Sequence, residues 1–264
     1  MEIKPVKIET SSYKVENIIE LQIGRNNYKT ASTYDVLIKN SESRNYDFLI
    51  DRGKIFINGN APDTKFLVVS DAYFSCLFPI QFVSKNEKFQ VVNFTEISNR
   101  INKKDKELKA DFSGDGIDYI SEAFVKQINS EEKLQNFIAN LNLISALQIS
   151  FQKFKKNEDA KWNVLPISNT FWKGNSVFEI ENNILNYNAE LQINTEFIGE
   201  LKKIASENHL ESDFESALFS SELNHSTEYL GATLKFRISK TVVSIKHPDF
   251  EYNEAFTIKS KTAK

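Results

Sequence analysis

Apolar and polar residues alternate at Tyr34, Val36 and Ile38 and again at Tyr46, Phe48 and Ile50. This period of two, punctuated by the turn segments SESRN and DRGK, restricts the first sixty residues to strands, with YKVENIIELQI as an earlier one. The pattern returns beyond Lys161, where VFEIENNILNYNAELQI predicts a hairpin turning at Glu181 to Asn183. STEYLGATLKFRIS, TVVSIKH and EYNEAFTIKS predict three further strands. Successive strands lie a hairpin apart with no regular crossover helices between them, which calls for antiparallel pairing. The expected class is α+β, with antiparallel β-sheets in the N- and C-terminal halves and a helical centre that includes one long amphipathic helix.

Between the strands the period lengthens. After Pro62 and Asp63, Phe66, Val69, Tyr73, Cys76 and Leu77 fall three or four apart, and Pro79 closes the helix they predict. PIQFVSKNEKFQVV predicts a hairpin turning near Lys85 to Glu87, and helical spacing resumes from Phe94 to Leu108. The longest stripe is Leu134, Phe137, Ile138, Leu141, Ile144, Leu147, Phe151 and Phe154. Ser130 suits its N-cap, and Lys155 and Lys156 suit its C-terminus. Farther on, Phe197, Leu201, Ile204 and Leu210 predict another helix, and Ser212 with Glu215 forms a capping-box pattern for a short one carrying Phe214, Leu218 and Phe219. The expected organisation is a strand-rich N-terminal lobe with helices at residues 1–110, a helical centre at 111–156 and a strand-rich C-terminal lobe at 157–264. KKNEDAK, 155–161, is the best boundary, and the lack of a Pro/Gly/Ser-rich linker also allows one continuous domain.

Composition narrows the function classes. With 264 residues, 41% of them apolar, the chain can bury a large core unaided. Its 33 basic and 36 acidic side chains nearly cancel, giving no global field to attract nucleic acid or anionic lipid. The runs at Lys103–Lys109 and Lys153–Lys156 carry almost no stacking aromatics, against a nucleic-acid role. A single cysteine, Cys76, excludes an internal disulfide framework and sits on an apolar helix face as an inert thiol. The N-terminus lacks the apolar segment of a signal peptide and no run is long enough to span a bilayer, so the expected location is cytoplasmic.

The most suggestive stretch is DFSGDGIDYISE, residues 111–122. It resembles an EF-hand calcium loop: Asp111, Ser113, Asp115 and Glu122 stand at ligand positions 1, 3, 5 and 12, with Gly116 at the sharp turn and Ile117 offering its carbonyl. The resemblance implies bound calcium. Asp118 and Tyr119 depart from the pattern at positions 8 and 9, and no second such loop occurs. The competing reading is an acidic turn permitted by Gly114 and Gly116, with Asp118 capping a helix that begins at Tyr119. The same acidic residues argue against a phosphate-binding loop.

No nucleophile elbow is present, and His209, His225 and His247 are spaced too irregularly for a zinc pair. Among the aromatics Trp162, Phe171, Trp172 and Phe178, the segment Lys173-Gly174-Asn175 looks like a turn that could present Trp172 as a protein-interface anchor. By elimination the leading expectation is a non-catalytic protein-binding or assembly protein, with another protein as partner. The alternative is a small-molecule or lipid carrier with an apolar cavity between sheet and long helix. An enzyme whose site is assembled from distant residues comes third.

Overall fold

The computed structural model describes residues 8–41, 45–85, 88–151, 159–167, 170–179, 182–230 and 235–261. Phe154, the helix end at Lys155 and Lys156, most of the 155–161 boundary segment and Glu181 lie outside them. The chain divides into two compact units: Met1–Lys14, Thr33–Ala139 and Ser260–Lys264 form one, Val15–Ser32 and Asn140–Lys259 the other.

Among the described residues the strands are β1 (Ser11–Ile23), β2 (Asn26–Asn40), β3 (Phe48–Ile57), β4 (Ile80–Lys85), β5 (Lys88–Val91), β6 (Ala160–Lys161), β7 (Phe171–Glu179), β8 (Ile184–Leu191), β9 (Ser220–Tyr229), β10 (Phe236–His247) and β11 (Phe250–Ser260). Their hydrogen-bonded order is β5-β4-β3-β2-β1-β11-β10-β9-β8-β7-β6, an antiparallel sheet, so the class is α+β. Instead of separate sheets in the two halves, the long strands β1 and β2 contribute residues to both units. They meet at a tight turn where Gly24 takes φ 56°, a conformation glycine adopts without steric cost.

In the first unit α1 (Lys65–Ser75), α2 (Phe94–Asp111), α3 (Asp115–Gln127) and α4 (Glu131–Ala139) accompany β3, β4 and β5. Phe48, Phe82 and Phe89, one from each strand, form the aromatic centre: Phe48 stacks on Phe82 at 5.3 Å and meets Phe89 edge-on at 5.0 Å. Gln135 of α4 accepts from the Val91 amide at 2.6 Å and donates to the Phe89 carbonyl at 2.9 Å. That one side chain satisfies backbone groups that an edge strand would otherwise leave open.

The single helix expected over 130–156 is two. α4 ends at Ala139 and α5 (Asn142–Phe151) begins after a break at Asn140 and Leu141. The Asn163 side chain donates to the Asn140 carbonyl at 2.6 Å, and Asn142 accepts from the Asn163 amide at 3.0 Å while donating to Glu254 at 3.1 Å. Asparagine is a weak helix former, and bonds to partners distant in sequence outcompete the uninterrupted ladder here.

In the second unit α5 and α6 (Thr195–Glu207) accompany β6 to β11. Alternation sorts the strands cleanly: Leu223, His225, Thr227 and Tyr229 of β9 and Tyr252, Glu254, Phe256 and Ile258 of β11 are all buried. The short helix expected after Ser212 is only a 3-10 turn, Ser216–Leu218. The Ser212 hydroxyl donates to Asp249 at 2.8 Å instead of capping a helix. Trp172 is fully buried, its Nε1 donating to the Trp162 carbonyl at 3.1 Å, and so is not presented at the surface. Lys173-Gly174-Asn175 is not a turn but the interior of β7, paired with Glu190, Ala189 and Asn188.

Candidate functional site

In the first unit, α1 owes its start to Thr64, whose hydroxyl accepts from the Leu67 amide at 3.3 Å. Val69 and Tyr73 are buried on its inner face, while Phe66 is 58% and Val68 38% exposed. Three helices are fixed together around one carboxylate. Tyr73 donates to Asp105 of α2 at 2.6 Å, Ser121 of α3 donates to the same oxygen, and the Tyr73 ring stacks on Phe124 at 5.1 Å. Burial alone would raise the Asp105 pKa, but the bonds from Ser121, Tyr73 and Lys109 hold it below the ordinary range. Burial and the bond to Asp105 push the Tyr73 phenol up to about 12.

Next to this fastening, α1 and the start of α3 enclose an apolar groove of about 300 Å³, lined by Lys65, Phe66, Val69, Ser113, Gly114, Gly116, Ile117 and Ile120. Gly114 and Gly116 keep its wall low: a Cβ built on either would meet no heavy atom beyond its chain neighbours within 4 Å. Lys65 Nζ reaches across the mouth to donate to the Ser113 carbonyl at 2.6 Å and lies 5.8 Å from the centre of the Phe112 ring.

Most of the stretch read as a calcium loop is helical. α2 runs through Asp111, the connection is Phe112 to Gly114, and α3 starts at Asp115 rather than Tyr119, with Gly114 as its N-cap in place of Asp118. Asp115 and Glu122 are thus separated along α3 by seven residues, about 10 Å of helix rise. Ser113 offers its carbonyl to Lys65. Among the described residues no group of three or more His, Cys, Asp or Glu is gathered to hold a metal ion.

Two polar clusters that sequence reasoning missed lie inside the second unit. His225, 2% exposed, has Nδ1 at 2.8 Å from Thr241 Oγ1 and Nε2 at 2.8 Å from Thr227 Oγ1 and 3.2 Å from Ser150 Oγ. A serine beside an imidazole suggests a nucleophile and its base. Here, however, Ser150 is wholly buried and its hydroxyl donates to the Ala146 carbonyl at 2.8 Å, so its proton is already committed to the backbone. Desolvation lowers the His225 pKa to about 3, so the ring is neutral.

The second cluster surrounds Glu254, which accepts from Trp162 Nε1 at 2.7 Å, Tyr252 Oη at 2.8 Å and Asn142 Nδ2 at 3.1 Å. Burial raises its pKa against the pull of these donors. Both clusters were foreshadowed by alternation, since His225 and Glu254 share their strands' inward rows with Leu223 and Phe256. His209 and His247 stand apart from this arrangement in the hydrogen bonds they make: the His247 ring accepts from the Asp249 amide at 3.1 Å. Cys76 is buried, as its place on the helix suggested, and burial pushes its thiol pKa up.

On the outward side of β7 to β10 a shallow polar concavity of about 790 Å³ is lined by Lys173, Asn175, Asn188, Glu190, Glu222 and Lys246 among others. No helix is long and apolar enough to cross a membrane among the described residues.

No protein-family model matches the chain. No curated protein sequence matches it. Among solved structures it is similar to one described as showing lipid–protein interactions in lipovitellin, at 7% identity and a TM-score of 0.46, with 96% of this chain and 25% of that chain covered. The chain thus spans about a quarter of that protein's length.

Proposed function

We propose that this protein binds a small apolar ligand in the groove between α1 and α3. The observation that supports the reading is the lining itself: Phe66, Val69, Ile117 and Ile120 converge on about 300 Å³ beside two glycines that leave the entrance open. That volume stands at the small end of ligand pockets, suited to a short alkyl chain or a single ring. Leu143, Ile144, Ala146, Leu147 and Ile149 of α5, part of the helix expected to border a cavity, are all buried. The groove, by contrast, leaves Phe66 more than half exposed.

The test uses 1-octanol and amide chemical shifts. Wild type should show saturable shifts at Val69, Gly114, Gly116, Ile117 and Ile120. Gly116→Leu, whose Cβ meets open space at a helical position beside the groove, should remain folded and lose them. Shifts scattered over the whole chain, or unchanged in Gly116→Leu, would count against the reading.

A protein-binding role is favoured by a different observation, the outward concavity of the second unit, where Lys173 and Lys246 stand among Glu190, Glu222 and asparagines. A mixed-charge polar face of this kind suits a protein surface of matching pattern. Capture of one defined partner by wild type and its loss in a Lys173→Glu/Lys246→Glu variant would support it.

A further inference from the structure

Resting on the groove reading, we infer that Asp105 is a positioning residue for it: its carboxylate sets the separation of α1 and α3, and with it the width of ligand the groove accepts. The buried row of α2 is Ile97, Ile101 and Leu108, and Asp105 stands in that row four residues after Ile101. A carboxylate there breaks the apolar pattern, and an apolar residue would join the three helices without the cost of desolvating a charge. What the carboxylate adds is a fixed distance. Its Oδ1 accepts from both Tyr73 of α1 and Ser121 of α3, each of them buried. While those bonds hold, the two hydroxyls part by no more than the sum of two hydrogen bonds, whereas apolar contacts slide over a wider range. Lys109 occupies the other oxygen, Oδ2, at 3.2 Å.

This clasp and the groove lie on consecutive turns of the same two helices. Val69 of the lining precedes Tyr73 by four residues on α1, and Ile117 precedes Ser121 by four on α3. Each clasping side chain therefore shares a helix face with a lining side chain, about 6 Å farther along the axis. Among the described residues α2 supplies none of the lining, so its carboxylate acts on a ligand only through α1 and α3. The stack of the Tyr73 ring on Phe124 joins the same two helices without either hydroxyl, so cutting one bond should loosen the spacing and leave the unit folded.

The experiment compares 1-octanol with cyclooctanol, which share a carbon count and a hydroxyl head and differ in width, by isothermal titration against wild type, Tyr73→Phe, Ser121→Ala and the double variant. Wild type is expected to prefer 1-octanol by about fivefold, the lower end of what excess width costs in a packed site. Each single variant cuts one leg of the bridge and should bring the two affinities to within about twofold, and the double variant should lose no more than either single one, because a bridge missing one leg is already open. Should either single variant fail to fold, the other carries the test. A loss of stability with the preference unchanged, or independent contributions from the two substitutions, overturns the role of Asp105 and leaves the groove reading standing. Equal binding of the two alcohols by wild type does the same. Failure of wild type to bind either overturns both.

Discussion

Lowering the pH should loosen the second unit through His225, which the fold buries as the neutral ring. The ring is 2% exposed and surrounded by the hydroxyls of Ser150, Thr227 and Thr241, with no carboxylate among its hydrogen-bond partners. Its folded pKa falls to about 3 from an ordinary 6.5. Because the folded value is depressed, the fold holds the neutral ring: the stability it contributes is full above pH 6.5 and is lost as the pH falls toward 3. One unit of pH within that window costs about 1.4 kcal/mol, so the loss between pH 7 and pH 5 is about 2 kcal/mol. Glu254 works in the opposite sense. Its raised pKa makes the fold prefer the protonated acid, so its contribution grows as the pH falls through the folded value toward the ordinary one. The comparison must therefore be made against a variant that keeps Glu254. His225→Gln removes the titration while retaining a donor and an acceptor. Urea unfolding followed by tryptophan fluorescence suits the purpose, since Trp162 and Trp172 are buried in this unit. The stability gap between wild type and His225→Gln should shrink by about 2 kcal/mol from pH 7 to pH 5. A gap constant across that range would refute the reasoning.

Three other perturbations are expected to have readable outcomes. A methyl added at Gly174 would lie 2.3 Å from the Asn188 carbonyl oxygen and 2.5 Å from Ala189 Cβ. Gly174→Ala should therefore destabilise by about 3 kcal/mol in urea titration, and a loss below about 1 kcal/mol would show that the strands part easily. Glu254→Leu strands Trp162 and Tyr252 as unpaired donors, leaves Asn142 only its bond to the Asn163 carbonyl, and should cost about 3–5 kcal/mol, more than Glu254→Gln, which keeps one acceptor; equal losses would contradict the donor-counting argument. Calcium titrated to millimolar concentration should give no saturable heat, because Asp115 and Glu122 are spread along a helix. Saturable heat abolished in Glu122→Gln would support Asp111, Ser113, Asp115 and Glu122 as ligands.

Where a local period decides the outcome, the sequence was legible. The alternation in EYNEAFTIKS gives β11 and its inward row, and the spacing of Val69 and Tyr73 gives α1. It failed where a distant side chain intervenes. The apolar stripe crosses Asn140 and Leu141 without interruption, so the weak helix-forming tendency of asparagine is the one local mark of a break that Asn163 and Glu254 impose. Ser212 carries a capping-box pattern, but Asp249 claims its hydroxyl. Lys173-Gly174-Asn175 has turn chemistry, yet its glycine serves close strand approach, which shifts Trp172 to the buried row and leaves Phe171 44% exposed. The groove was half visible: Gly114 and Gly116 stood out as permissive, whereas the convergence of Phe66 and Ile120 depends on how α1 meets α3.

The way β1 and β2 contribute to both units has a practical consequence for dissecting the protein. Neither unit is a contiguous stretch of polypeptide, so no single cut yields one of them intact. A fragment ending at Ala139 would retain the groove but forfeit β11, the neighbour of β1, and expose a long row of unpaired backbone groups to self-association. Ligand measurements therefore belong on the undivided chain, and limited proteolysis should release no stable half from either end.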